Sequence, residues 1–363
     1  MLGEEDVVPG DVLDPQAETG AGGRQGVRAA AIEAVRAASL LCRDVRVSLI
    51  PSDATAKADR SPVTVADLGS QALISLALHD DFPGDAIVGE EDASLLRTDP
   101  EGPIAAAVLR HVRAVRPEAT AETVAEALAR CSHPGGPAGR FWTLDPVDGT
   151  KGFLRGGQYA VALALIEDGE PVLGLLGCPN LPVDPADPGA GIGCMFVAER
   201  GAGAVMISLD GYADDGGEGH GNVTTERPIR VCAPASPAEA RWAESVEAGH
   251  SDQGDAAHVA QLLGLRLEPL RMDSQAKYVA VARGEAAIYL RLPTSDTYRE
   301  RIWDHAAGWL IVREAGGEVT DIHGQPFDFG TGRGLERNQG VVASAGGTLH
   351  AEVLRAVARA LNA

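Results

Sequence analysis

From Val27 through Ala31, Ala34, Ala38, Leu41 and Val45, apolar residues return every three or four positions. That is one stripe of a helix over 27–50, which Pro51 ends. Leu68, Ala72 and Leu76 place a second amphipathic helix over 65–79. The apolar run at 86–88 is a short strand, and Ala-rich helices follow over 104–115 and 121–129, before the breaker SHPGGPAG. A strand at 141–144 leads into a strongly punctuated turn, Asp145-Pro146-Val147-Asp148-Gly149-Thr150. The apolar runs 159–166 and 171–177 flank Glu167-Asp168-Gly169-Glu170, which predicts an antiparallel hairpin. A loop over 180–193, strands at 195–197 and 203–207, and an exposed loop over 210–226 come next. Beyond it we expect a helix over 274–283 stopped by Gly284, a strand at 287–290, and a helix over 304–314 stopped by Gly316-Gly317. A strand at 318–320 and a closing helix over 349–361 complete the chain.

This alternation predicts a mixed α/β chain, and 363 residues exceed the roughly 250–300 at which one core tends to split, so two lobes are expected. We set them at 27–209 and 227–363, behind a disordered acidic lead over 1–26. The lead has neither the apolar core of a secretory signal nor the arginines of a transit peptide. The formal charge of −21 argues against nucleic acid and against a polybasic membrane contact. No apolar run approaches the roughly 20 residues of a membrane span. Cys42, Cys131, Cys178, Cys194 and Cys232 contain no Cys-x-x-Cys pair and are odd in number, so they are expected to be buried, inert thiols of a cytoplasmic protein.

The candidate chemistry lies in acidic residues at the ends of elements: Asp67, Glu90-Glu91, Asp145 with Asp148, and Asp304. Carboxylates brought together repel one another unless a cation neutralises them, and an all-oxygen set suits Mg²⁺ or Mn²⁺ rather than zinc. Pro146 stiffens the chain so that Asp145, Asp148 and the Val147 carbonyl can point to one side. Taken one at a time, each has a purely structural reading. Thr64-x-x-Asp67 matches a capping box, Asp304 an N-cap, Glu90-Glu91 a solvated strand end, and Asp145/Asp148 turn formers. These readings weaken when all the clusters must be explained together.

The string WTLDPVDGTKGFLRGGQYAVALALI, with VGEED upstream and IWDHAAG, EAGG and TD downstream, resembles the lithium-sensitive, Mg²⁺-dependent phosphatases related to inositol monophosphatase and fructose-1,6-bisphosphatase. Within them SPVTVAD, LGCPNLP, EAGHS, DSQAKY, YLRLP and FDFGTGRGL are most similar to the 3'(2'),5'-bisphosphate nucleotidases. The likeness covers 27–361 and fades over 93–139 and 182–226.

The resemblance implies an α/β layered sandwich, with alternating helix and sheet layers in a metal-binding and a nucleotide-binding lobe. It implies two or three Mg²⁺ ions held by Glu90, Asp145, the Val147 carbonyl, Asp148 and Asp304, with Glu91 in support. Asp67 and Thr150 match the pair that orients and deprotonates the attacking water, and Thr150, His250, Ser274, Lys277, Arg291 and Asp304 match substrate-binding positions. Ser274 and Lys277 are expected one turn apart on a helix, facing one ligand. The expected activity is removal of the 3'-phosphate of adenosine 3',5'-bisphosphate, and of its 5'-phosphosulfate analogue, by a monomer or weak dimer. The alternatives are an inositol-phosphate phosphatase of the same fold and a non-catalytic nucleotide or metal sensor.

Overall fold

The computed structural model describes residues 23–48, 61–210, 225–246, 253–295 and 297–361. Helices α1 (Arg24–Ser48) and α2 (Ser61–Asp81) precede strand β1 (Ala86–Gly89) and helices α3 (Ser94–Thr98), α4 (Pro103–Val115) and α5 (Ala121–Ala129). Strand β2 (Arg140–Asp148), helix α6 (Thr150–Arg155) and strands β3 (Ala160–Glu167), β4 (Glu170–Pro182), β5 (Ile192–Glu199), β6 (Gly203–Ser208) and β7 (Arg227–Pro228) follow. Next come β8 (Trp242–Glu244), α7 (Gln253–Leu263), β9 (Leu270–Arg271), α8 (Ala276–Ala282) and β10 (Ile288–Arg291). The chain closes with α9 (Ala306–Glu314), β11 (Glu318–Thr320), β12 (Val341–Ser344) and α10 (Gly347–Leu361).

The strands form a seven-stranded sheet in sequential order β1 to β7 and a five-stranded sheet in the order β11-β12-β10-β8-β9. Strand periodicity decides the layering. In the first sheet Trp142, Leu144, Leu163, Leu165 and Leu175 pack with residues of α1, α2, α4 and α5. Their alternating neighbours Phe141, Ala162, Ala164, Ile166 and Leu176 pack instead with α8, α9 and one face of the second sheet. The second sheet turns Ile288, Leu290 and Val342 toward α7 and α10. The result is five layers, helix–sheet–helix–sheet–helix, with β3 buried on both faces, which is why AVALALIE reads as an unbroken apolar run.

The hairpin turn is Asp168-Gly169, with φ of 49° and 80°, the two left-handed residues of a type I′ connection. Some expectations change. The segment from Asp145 to Asp148 is no free turn but the last residues of β2, where the pairing register shifts. The predicted 180–193 loop is shorter, because β4 runs on to Pro182 and β5 begins at Ile192. Four cysteines are buried as expected, but Cys232 is exposed. Among the described residues no helix is long and apolar enough to cross a membrane.

Candidate active site

Four pieces of chain meet in a cleft of about 1070 Å³ lined by residues of both halves of the molecule. Helix α2 organises one side. Asp67, Ser70 and Gln71 lie at i, i+3 and i+4, hence on one helical face, and all three are buried. Ser70 Oγ donates to the Pro146 carbonyl at 2.9 Å. Gln71 Nε2 donates to the Glu91 carbonyl at 2.7 Å, and its Oε1 accepts from the Glu91 N–H at 3.1 Å. The helix that carries Asp67 thereby fastens the Glu90-Glu91 and Asp145–Asp148 segments. Because α2 begins at Ser61, Thr64 and Asp67 sit inside it, and the capping-box reading falls.

Strand β1 delivers Glu90. Gly89 N–H donates to the Cys131 carbonyl at 2.8 Å, and Glu90 N–H to the Leu144 carbonyl at 3.1 Å. A Cβ on Gly89 would lie 2.7 Å from Cys131 Cβ and 2.8 Å from Gln71 Oε1, so this strand end requires glycine. Arg333 donates to the Gly89 carbonyl at 2.6 Å while its guanidinium lies over the Trp303 ring, 4.7 Å from the centroid.

The end of β2 delivers Asp145, Val147 and Asp148. The Val147 N–H donates to Asp145 Oδ1 at 3.1 Å, and between Asp145 and Asp148 the pairing with β3 slips by one residue. That bulge re-aims the side chains into the cleft, where strict alternation would separate them. Gly149 then takes a φ of 88°, with room for no Cβ against Ser274, 2.9 Å away.

Asp304 ends a short 3₁₀ turn, Ile302–Asp304, rather than capping α9, whose N-cap is His305. Gln275 joins this turn to the Asp148 segment. Its backbone N–H donates to Asp148 Oδ2 at 2.5 Å, and its side chain bonds the Trp303 carbonyl at 2.8 Å and the Gly308 N–H at 3.2 Å. Lys277, buried on α8, donates to the carbonyls of Ser274 at 2.7 Å and Met272 at 3.4 Å. Ser274 is not on that helix. It precedes it in a left-handed conformation, φ 67°, although Ser274 and Lys277 both line the cleft. Arg291 pairs with Glu300 at 2.9 Å, and Glu300 also meets His305 Nε2 at 3.2 Å, whose Nδ1 faces the Tyr278 hydroxyl at 2.8 Å. His250 lies outside the described residues. A separate groove of about 550 Å³, lined by Ala30, Ala34 and Phe82 among others, holds none of these side chains.

The electrostatics follow from crowding acids in poorly solvated space. Burial, then Glu91 and Glu90, holds the Asp67 carboxyl well above its ordinary range. Burial, then Glu90, Asp148 and Asp304, does the same to Asp145. Glu90 opens to cleft water yet is pushed up to about 7, by burial of its surroundings first and Asp304 second. Asp304 rises to about 6 through burial, with Arg291 opposing. Such a set is unstable as free anions and is complementary to hard cations with oxygen ligands. Glu300, Asp304 and His305 also bring ligand atoms within 4.8 Å of one another, but Glu300 and His305 are committed to the Arg291–Tyr278 network.

Sequence reasoning missed Ser70, Gln71, Gln275, Glu300 and Arg333. The first two carried a signal, being polar residues on the inward face of an otherwise apolar helix. The others act across the fold and carry no local signature.

Residues 24–361 match the inositol monophosphatase family model. The chain is 47% identical over 329 residues to the 3'(2'),5'-bisphosphate nucleotidase of Emericella nidulans, covering 84% of this chain and 90% of that one. It is 44% identical over 329 residues to the protein of the same name in Schizosaccharomyces pombe, covering 86% and 90%. A solved inositol monophosphatase from Zymomonas mobilis has a TM-score of 0.60 at 20% identity, covering 92% of this chain and 98% of that chain, a likeness of fold.

Proposed function

The chain belongs to the inositol monophosphatase family, and on that premise we propose that it is a 3'(2'),5'-bisphosphate nucleotidase, hydrolysing adenosine 3',5'-bisphosphate to AMP and phosphate. The observation that carries the reading is the make-up of one cleft. Asp67, Glu90, Asp145, Asp148, Thr150 and Asp304 line it together with Ser274, Lys277 and Arg291. Acidic and cationic groups so arranged can serve two phosphates at once, one at an acid-rich end and one at Lys277 and Arg291.

Mg²⁺ would be held by Glu90, Asp145, the Val147 carbonyl, Asp148 and Asp304, and the mutual repulsion of those acids fits that donor set. When bound, it supplies an activated water and positive charge on the phosphate oxygens. The residues of the chain do the rest. Asp67, backed by Thr150, takes the proton of the attacking water. The water oxygen bonds to phosphorus, the bond to the 3'-oxygen breaks, that oxygen takes a proton from solvent water as it leaves, and Asp67 returns its proton to solvent. Lys277 and Arg291 hold the second phosphate, and Gln275 keeps Asp148 and the Asp304 turn in register.

The test is phosphate release from adenosine 3',5'-bisphosphate, its 5'-phosphosulfate analogue, inositol 1-phosphate and inositol 1,4-bisphosphate. The nucleotides should have the highest kcat/KM. Preference for either inositol phosphate would transfer the chain to the other activity of the fold. Tight nucleotide binding without phosphate release would make it a sensor.

A further inference from the structure

Most side chains lining the cleft are acidic or polar, but the lining also includes two large apolar side chains that water can reach. Leu154 is 46% exposed and Tyr298 47%, and both line it. Among the described residues Tyr298 is the aromatic member of the exposed large hydrophobics. Each extends from the phosphate-handling residues along the chain. Leu154 stands on α6, the helix that Thr150 opens. Tyr298 lies between Arg291 and the Asp304 turn. Arg291 Nη2 approaches the Tyr298 hydroxyl at 3.5 Å, which ties the ring to one of the cations of the cleft.

A ligand that covers exposed apolar side chains in a cleft gains binding energy from removing them from water. A phosphorylated inositol carries hydroxyls around its ring and has no flat apolar face to offer. A purine has one, and base–aromatic stacking tolerates any base because every base has a π-face. We infer that Leu154 and Tyr298 hold the base of the nucleotide and are the specificity-determining residues that separate nucleotide from inositol substrates. This rests on the nucleotidase reading above and adds a subsite to it.

The experiment compares adenosine 3',5'-bisphosphate with the methyl riboside 3,5-bisphosphate, which keeps both phosphates and lacks the base. Tyr298→Ala should raise KM for the nucleotide about tenfold or more, the range of one lost stacking contact. The ratio of kcat/KM between nucleotide and riboside should fall by the same factor. Leu154→Ala should shift the ratio in the same direction, and Tyr298→Phe should retain it. Thermal melts of each variant identify any that fail to fold, and Tyr298→Phe preserves the comparison in that case. An unmoved ratio in both alanine variants would overturn the base subsite. So would a Phe variant as impaired as Ala, which would give the role to the hydroxyl and Arg291. A wild-type enzyme that turns over the riboside but not the nucleotide would overturn both this inference and its parent reading. Normal nucleotide turnover with an unmoved ratio would sink the subsite alone.

Discussion

Asp67→Asn separates chemistry from architecture at the centre of the site. Asn has nearly the same shape, so Ser70 and Gln71, one turn along α2, keep their bonds to the Pro146 and Glu91 backbones. What disappears is the proton acceptor. Loss of a general base costs on the order of 10²–10⁴ in rate, or about 3–5 kcal/mol of barrier at roughly 1.4 kcal/mol per decade. The same change should stabilise the metal-free protein. Burial and the charges of Glu91 and Glu90 hold the Asp67 pKa well above its ordinary value. The folded state therefore resists an ionisation that the unfolded chain undergoes freely, and above the ordinary pKa this subtracts from stability. Asn removes that penalty. The assay is kcat at saturating Mg²⁺ and substrate, paired with Tm in chelator at pH 8. We expect kcat to collapse and Tm to rise. A kcat within fivefold of wild type would refute the general-base role, and a lower Tm would refute the electrostatic account.

Metal-free protein should lose stability as pH rises. Asp304 moves from 3.8 to about 6 and Glu90 from 4.5 to about 7 in the folded state, so their contribution is present below the unfolded values and lost as pH climbs through the folded ones. Tm in chelator should fall between about pH 4 and 7, and Mg²⁺ should raise it more above that window than below it; a pH-independent Mg²⁺ effect would contradict this. Gln71→Ala should weaken Mg²⁺ binding by about 10–100-fold, the usual cost of losing a support behind metal ligands, measured calorimetrically, with kcat recovering at saturating metal; unaltered affinity would remove Gln71 from that role. Burial lowers Lys277 to about 8, so kcat/KM for the nucleotide should decline above that pH, and Lys277→Met should abolish the decline; a limb that persists belongs to another group. Arg291→Ala removes the cation that Glu300 pairs with beside His305 and should depress both nucleotide and inositol 1-phosphate turnover, whereas Arg291→Met with Glu300→Gln should recover the inositol activity preferentially; equal recovery would strip Arg291 of its nucleotide role.

Much of this protein is written locally. Helical stripes such as Val27–Ala31–Ala34–Ala38 bury the side they predict, because period and burial are the same geometric fact. The type I′ turn at Asp168-Gly169 follows from two residues that tolerate positive φ. The acids were visible too, since clusters at element ends need a reason to exist. Local pattern went astray where a remote partner decides the outcome. Asp145 to Asp148 reads as a turn but is held in β2 by pairing with β3, and only the register slip turns both acids one way. Ser274 reads as helical but is left-handed, lodged against Gly149 from the other half of the molecule. Arg291 reads as a substrate-binding position with no partner indicated, and the fold pairs it with Glu300. Residue types and spacings determined by themselves most of the long elements and which groups could do chemistry, since both depend on near neighbours, whereas α7 and the short strands β8, β9 and β12 escaped them. Which acids meet, how far they shift each other and what holds them depends on contacts between segments distant in the chain, such as Ser70 with Pro146, 76 residues apart, and Asp148 with Gln275, 127 apart. Only packing five layers against one another brings those segments together.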